Sequence, residues 1–185
     1  MAMHIQILKP IVTALYVLFL FFGPATAQTT EDELLLQLKG ATESEARRLE
    51  RELSLIWDRS GSASMDLLLR RGRDALEDEN NSRAIEHFSA LTDHAPAFAE
   101  GWHARATAYF RAGLFGPALD DLQRALVLNP QNFNALFGLG VLFQEFGDTT
   151  RAAQAFGQVL EVNPHHKRAK EARERLVGRG IDQTL

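Results

Sequence analysis

The chain of 185 residues contains no cysteine. That absence removes a disulfide framework, a thiolate metal site and a cysteine nucleophile, and it leaves stability to a hydrophobic core alone. Catalytic constellations are missing too: there is no Gly-x-Ser-x-Gly elbow, no phosphate loop and no His-Glu-x-x-His pair. Gly138-Leu139-Gly140 begins like a dinucleotide motif but lacks the third glycine. Basic residues are outnumbered, with 20 Lys and Arg against 24 Asp and Glu and a formal net charge of −4. Nucleic acid as the main partner calls for a basic stripe, so this balance argues against it.

A membrane-spanning run is also lacking. Ile11 to Phe22 is apolar apart from Thr13, but it covers twelve residues, against the ~20 that a spanning helix needs. His4 and Lys9 precede it, Gly23-Pro24 breaks it, and Ala25-Thr26-Ala27 supplies a small-x-small cleavage pattern before Gln28. Residues 1–27 therefore read as a signal peptide that is removed, in preference to a permanent anchor. The expected mature chain is periplasmic or secreted, with no stable membrane anchor after cleavage. No cysteine follows the run, so lipidation of the new N-terminus is excluded.

What the chain does have is a ladder. Leu68, Trp102 and Leu136 lie 34 positions apart, as do Gly72, Ala106 and Gly140, and Ala75, Tyr109 and Phe143. Ala84, Ala118 and Ala152 follow, then Phe88, Leu122 and Phe156, Leu91, Ala125 and Val159, and Pro96, Pro130 and Pro164. A fixed period of this length marks stacked units that bury their apolar faces only against neighbours. Within the middle unit, Trp102, Ala106 and Tyr109 share one helical face, and Ala118, Leu122 and Ala125 share another. Asn80-Asn81-Ser82, Gly113 with Gly116-Pro117, and Gly147-Asp148-Thr149 separate the helices of each pair. The prolines, two of them in Asn129-Pro130 and Asn163-Pro164, end each second helix.

These columns resemble the tetratricopeptide repeat from Met65 to Pro164, and the middle copy is nearest the family pattern. The resemblance implies an all-α, right-handed superhelical solenoid of antiparallel helix pairs, with repeats at 65–98, 99–132 and 133–166. The first and third copies depart at Leu68 and Leu136 for the Trp, and the first at Ala75 for the aromatic. Arg71 and Arg105 stand where the family usually carries Leu. We expect each Arg to snorkel outward along its aliphatic stem; the alternative is pairing with Asp120 or Asp121.

Flanking segments complete the array. Thr42-Glu43-Ser44-Glu45 matches a capping box, and Leu49, Leu53, Ile56 and Trp57 form a stripe behind it. With Glu31 to Leu38 this predicts an N-terminal helical hairpin over 28–64, packed on the first repeat. A capping helix is expected over 167–178, with Ala169, Ala172 and Leu176 inward and Lys167, Arg168, Lys170, Arg173 and Arg175 outward. Residues 179–185 are expected to fray.

The first helices of successive repeats line a concave groove in such stacks. Counting from the packing columns, the expected peptide-binding set is Leu69, Arg73, Glu100, His103, Thr107, Phe110, Asn134, Phe137 and Val141. Phe110, Phe137 and Val141 are candidate anchors for apolar side chains, and Arg73 is a candidate carboxylate clamp. Some tetratricopeptide proteins grip chaperone tails through groove Lys, Asn and Arg residues. The matching positions hold Leu69, Arg73, Ala104, Asn134 and Gly138, so that clamp is absent apart from Arg73 and Asn134. No metal site and no cofactor is expected, because His165 and His166 point about 100° apart on a helix without a third ligand. His103 and Glu100 are expected to make a surface contact. The function these observations imply is a non-catalytic scaffold holding a peptide segment of a cell-envelope protein. The alternative is a structural subunit that self-associates or docks through its terminal helices. A third reading is an enzyme accessory using His103 and Glu100.

Overall fold

A Cβ added to Gly72 would lie 2.2 Å from the Phe88 ring, and one added to Gly140 would lie 2.5 Å from the Phe156 ring. In the middle repeat the same contact is made by Ala106 and Leu122, both buried. The small column is therefore matched in size to the large one opposite, which lets paired helices approach until ring and backbone touch. In the computed structural model, which describes the backbone of residues 25–182 and side chains over 30–178, this contact repeats along the array.

The regular secondary structure of the described residues is all helix. In order they form α1 (Ala25–Gly40), α2 (Glu43–Trp57), α3 (Ala63–Glu77), α4 (Asn81–His94), α5 (Ala99–Arg111), α6 (Phe115–Leu128), α7 (Phe133–Glu145), α8 (Thr149–Val162) and α9 (Lys167–Asp182). The helix pairs α3/α4, α5/α6 and α7/α8 are the repeated units, and α9 packs on α8. Apart from its last three positions, the expected signal peptide lies outside the described residues. Among those described, no helix is long and apolar enough to cross a membrane.

Each turn within a pair is built the same way. The residue after the first helix's cap takes a positive φ: 59° at Glu79, 73° at Gly113 and 73° at Gly147. The next amide then closes back on the helix, Asn80 to Ala75, Leu114 to Tyr109 and Asp148 to Phe143, which satisfies carbonyls that the helix end leaves free. Asn80 and Asp148 also cap the following helix through their side chains. Pro117 falls in the first turn of α6, where its missing N–H removes no bond.

Packing corrects one expectation about the ends. The N-terminal hairpin does not stack on the first repeat. Leu35, Leu38, Leu49, Leu53 and Trp57 instead join one buried cluster with Phe133, Leu136, Phe156, Val159 and Ala169, at the opposite end of the array. The first repeat's cluster draws on α3, α4, α5 and the α4–α5 turn. The reason lies in α3: Arg70 and Asp74 are exposed, whereas their counterparts Ala104 and Ala108, Gly138 and Leu142 face a preceding helix and are covered or half-covered. Charged side chains in that column give the array a polar starting face. At the far end Ala169, Ala172 and Leu176 are buried as expected, but the helix continues to Asp182 instead of ending at 178.

Arg105 also departs from expectation. It does not snorkel: its guanidinium forks onto buried Asp121 at 2.7 and 2.9 Å and donates to Thr92 at 2.9 Å. Trp102 and Tyr109 lie against the same cation. Arg71 remains exposed.

Candidate protein-binding groove

Helices α3, α5 and α7 carry the expected groove rows, and α2 lies along that face. Ser54, Trp57 and Asp58 look onto Arg73, Glu100, His103, Thr107 and Asn134 across a cavity of about 300 Å³. A larger channel of about 830 Å³ runs between α2 and the starts of α7 and α9. Arg47, Glu50, Arg51, Leu55, Phe133, Asn134, His166 and Arg168 are among its walls. Of the predicted set, Arg73, Glu100, His103, Thr107 and Asn134 thus line a half-open space between the array and the chain's own hairpin.

The hairpin is held by side chains of the array. Arg73 donates to both oxygens of Asp58 at 2.8 and 2.6 Å, and to Glu100 at 2.8 Å. Trp57 packs edge-on against Phe133, with centroids 5.0 Å apart, and donates its indole N–H to Glu31. Asn129 donates to the same Glu31 carboxylate, and Asn163 donates to Glu50. Asn129 and Asn163 are the repeated residues before Pro130 and Pro164. The first copy has Ala95 there, which offers no amide, and the hairpin stays away from it.

Electrostatics follow from this arrangement. Glu100 is buried, which by itself would raise its carboxyl pKa, but His103 and then Arg73 outweigh burial and hold it below the ordinary value. Burial would lower the His103 pKa, yet the Glu100 charge and hydrogen bond raise it. The expected surface contact is therefore a buried ion pair at 3.0 Å, with the His103 side chain 18% exposed and Glu100 8%. Arg73 is held charged first by its bond to Asp58. His166 behaves oppositely: burial lowers its pKa, its Nδ1 accepts the Ala169 N–H, and its ring stacks on Phe137 at 4.9 Å.

Several predicted groove residues take other places. Leu69 is 2% exposed and belongs to the core beside Ala104 and Phe88. Arg73 is engaged by Asp58 and Glu100 and is not a free clamp. Phe110 leans on Phe115 at 5.4 Å and is half-buried. Val141 is half-buried against the cluster shared with the hairpin. Thr107 donates to the His103 carbonyl and, with Asn134, lines the smaller cavity. Phe137 sits between the Phe156 ring and the Arg168 guanidinium. Residues missed at the sequence level are Glu31, Glu50, Asp58, Asn129, Asn163 and His166. The recurring Asn-Pro pair was their only local sign, because the carboxylates they meet are distant in sequence.

Helix pairs in register, small-on-large contacts within each pair and an inner face lined by every first helix define a solenoid of helical hairpins. A tetratricopeptide repeat profile matches residues 69–133 and 103–156; the array carries tetratricopeptide repeats. A TPR repeat-containing protein of Rhizobium etli is 29% identical over 141 residues, covering 76% of this chain and 69% of that protein. Superkiller complex protein 3 of Homo sapiens is 32% identical over 107 residues, which is 57% of this chain but only 6% of that protein. Among solved structures, the first TPR of Spaghetti (RPAP3), bound to an HSP90 peptide, shares the fold with a TM-score of 0.61. It is 22% identical over 63% of this chain and 93% of that one. Arrays of this kind are protein–protein interaction modules.

Proposed function

We propose that the protein is a non-catalytic, exported scaffold whose concave channel takes a peptide segment of a cell-envelope protein. The observation that carries this reading is the channel itself. Its walls combine an apolar floor at Phe133 and Leu55 with polar and charged groups at Asn134, Arg51 and Arg168, the mixture that orients a peptide while desolvating its anchors. The signal-like segment of residues 1–27 supports export to the periplasm, and mass spectrometry of the mature chain should find Gln28 first.

Capture from envelope extract tests the groove. Asn134→Ala removes a polar group that lines both cavities, and Thr107→Trp fills the smaller cavity from a half-buried position. Each should lower recovery of the partner by about tenfold, while Gln123→Ala on α6 should not. Helical content measured by circular dichroism should stay unchanged. Full capture by both groove variants contradicts the reading.

A further inference from the structure

The array contacts its own hairpin through a defined set of groups: one guanidinium, two amides and one aromatic face. Arg73, Asn129 and Asn163 meet three carboxylates, Asp58, Glu31 and Glu50, while Phe133 meets the Trp57 indole. Glu50, Leu53, Trp57 and Asp58 fall at i, i+3, i+7 and i+8, the spacing of one helical face. The clasp at Asp58 is half-open to solvent, with side-chain exposures of 38% for Arg73 and 31% for Asp58. The pair is two-pronged and Glu100 shares its guanidinium, so it contributes to holding the hairpin in place. Beyond it the link to α3 is the exposed or half-exposed turn of Arg59 to Ser62, with Gly61 at φ 80°. Ser60 in this turn is bonded through its backbone N–H and its hydroxyl to Asp66 on α3.

We propose that α1–α2 is a built-in occupant of the concave groove, and that the groove's external partner is an acidic amphipathic helix that takes the place of α2. This rests on the groove reading above and adds the partner's chemistry and the step that admits it. The partner presents a carboxylate to Asn163, an aromatic side chain to Phe133 and a second carboxylate to Arg73. Charge complementarity favours that choice: Lys167 and Arg168, which stay with the array at the open side of the channel, have no carboxylate within ion-pair distance among the described residues. The chain as a whole is acidic. While the hairpin is seated, apparent affinity is reduced in proportion to the fraction of molecules that are open.

A fluorescent peptide with the sequence of residues 28–60 is the probe, titrated by anisotropy into the full mature chain. Asp58→Arg places like charges together and should open the groove, so the peptide, which keeps its own Asp58, should bind at least about tenfold tighter than to the parent. Asp58→Asn, which keeps the side-chain shape, should give a smaller gain of about threefold and guards against misfolding of the charge reversal. Equal binding to the parent, Asp58→Arg and Asp58→Asn chains overturns the proposal. So does a concentration-dependent dimer of Asp58→Arg that excludes the peptide, since the occupant is then a second copy. Loss of capture in Asn134→Ala with no effect of the Asp58 variants leaves the groove reading standing and removes only this one.

Discussion

Arg105 and Asp121 face each other across the α5–α6 contact in a two-pronged ion pair, with side-chain exposures of only 15% and 6%. The family pattern puts an apolar residue at the Arg105 position, so this repeat has exchanged a hydrophobic contact for a satisfied charge pair. Thr92 from the preceding repeat joins it at 2.9 Å, so one guanidinium ties two repeats together.

Breaking the pair from one side strands a buried charge. Asp121→Ala should cost about 3 kcal/mol, whereas Arg105→Leu combined with Asp121→Leu should cost much less than the two single changes added together. Urea unfolding of the four chains gives the cycle, and additive losses would contradict the coupling.

Glu79 occupies a left-handed turn position, φ 59°, where the other two repeats have Gly113 and Gly147. Glu79→Gly should stabilise the chain by roughly 0.5–1 kcal/mol by relieving the Cβ clash, less the entropy that glycine loses on folding. The urea midpoint should rise; a fall would show that the Glu79 side chain contributes more than its backbone costs.

The small-on-large column predicts a compensating pair. Gly140→Ala drives a methyl into the Phe156 ring, 2.5 Å away, and should cost about 1–3 kcal/mol. Adding Phe156→Leu rebuilds the Ala106–Leu122 arrangement of the middle repeat and should recover part of that loss. Thermal unfolding of the single and double variants measures it.

The Glu100–His103 pair predicts two pH limbs of opposite sign. The raised His103 pKa means that its contribution is complete below the ordinary value of 6.5 and is lost as pH rises through the folded value. The lowered Glu100 pKa means that its contribution is present above 4.5 and is lost as pH falls through the folded value. His103→Gln should flatten the neutral-to-alkaline decline in urea midpoint and leave the Asp- and Glu-driven acid decline largely in place. Glu100→Gln should weaken both limbs.

Much of the fold was legible because stacking imposes a period, and a period shows in one sequence. Gly72, Ala106 and Gly140 announced close helix approach, and the prolines marked every second helix end. The hairpin's place was not legible from local pattern, since it depends on Glu31, Glu50 and Asp58 meeting Asn129, Asn163 and Arg73 from far along the chain. A clue was present in α3, where Arg70 and Asp74 replace Ala104 and Ala108 and so refuse a stacked neighbour. The groove rows rested on counting around the helices. Counting does not show depth, though, so Leu69 and Glu100 looked accessible when packing buries them.

The central claim, that the concave face receives the partner, is tested most directly by site-specific photo-crosslinking in envelope extract. A benzophenone side chain is placed in turn at Thr107, at Arg51 beside the channel and at Gln123 on α6. The account predicts a shared cross-linked partner band from Thr107 and Arg51 and none from Gln123. A band from Gln123 with none from the other two would contradict it.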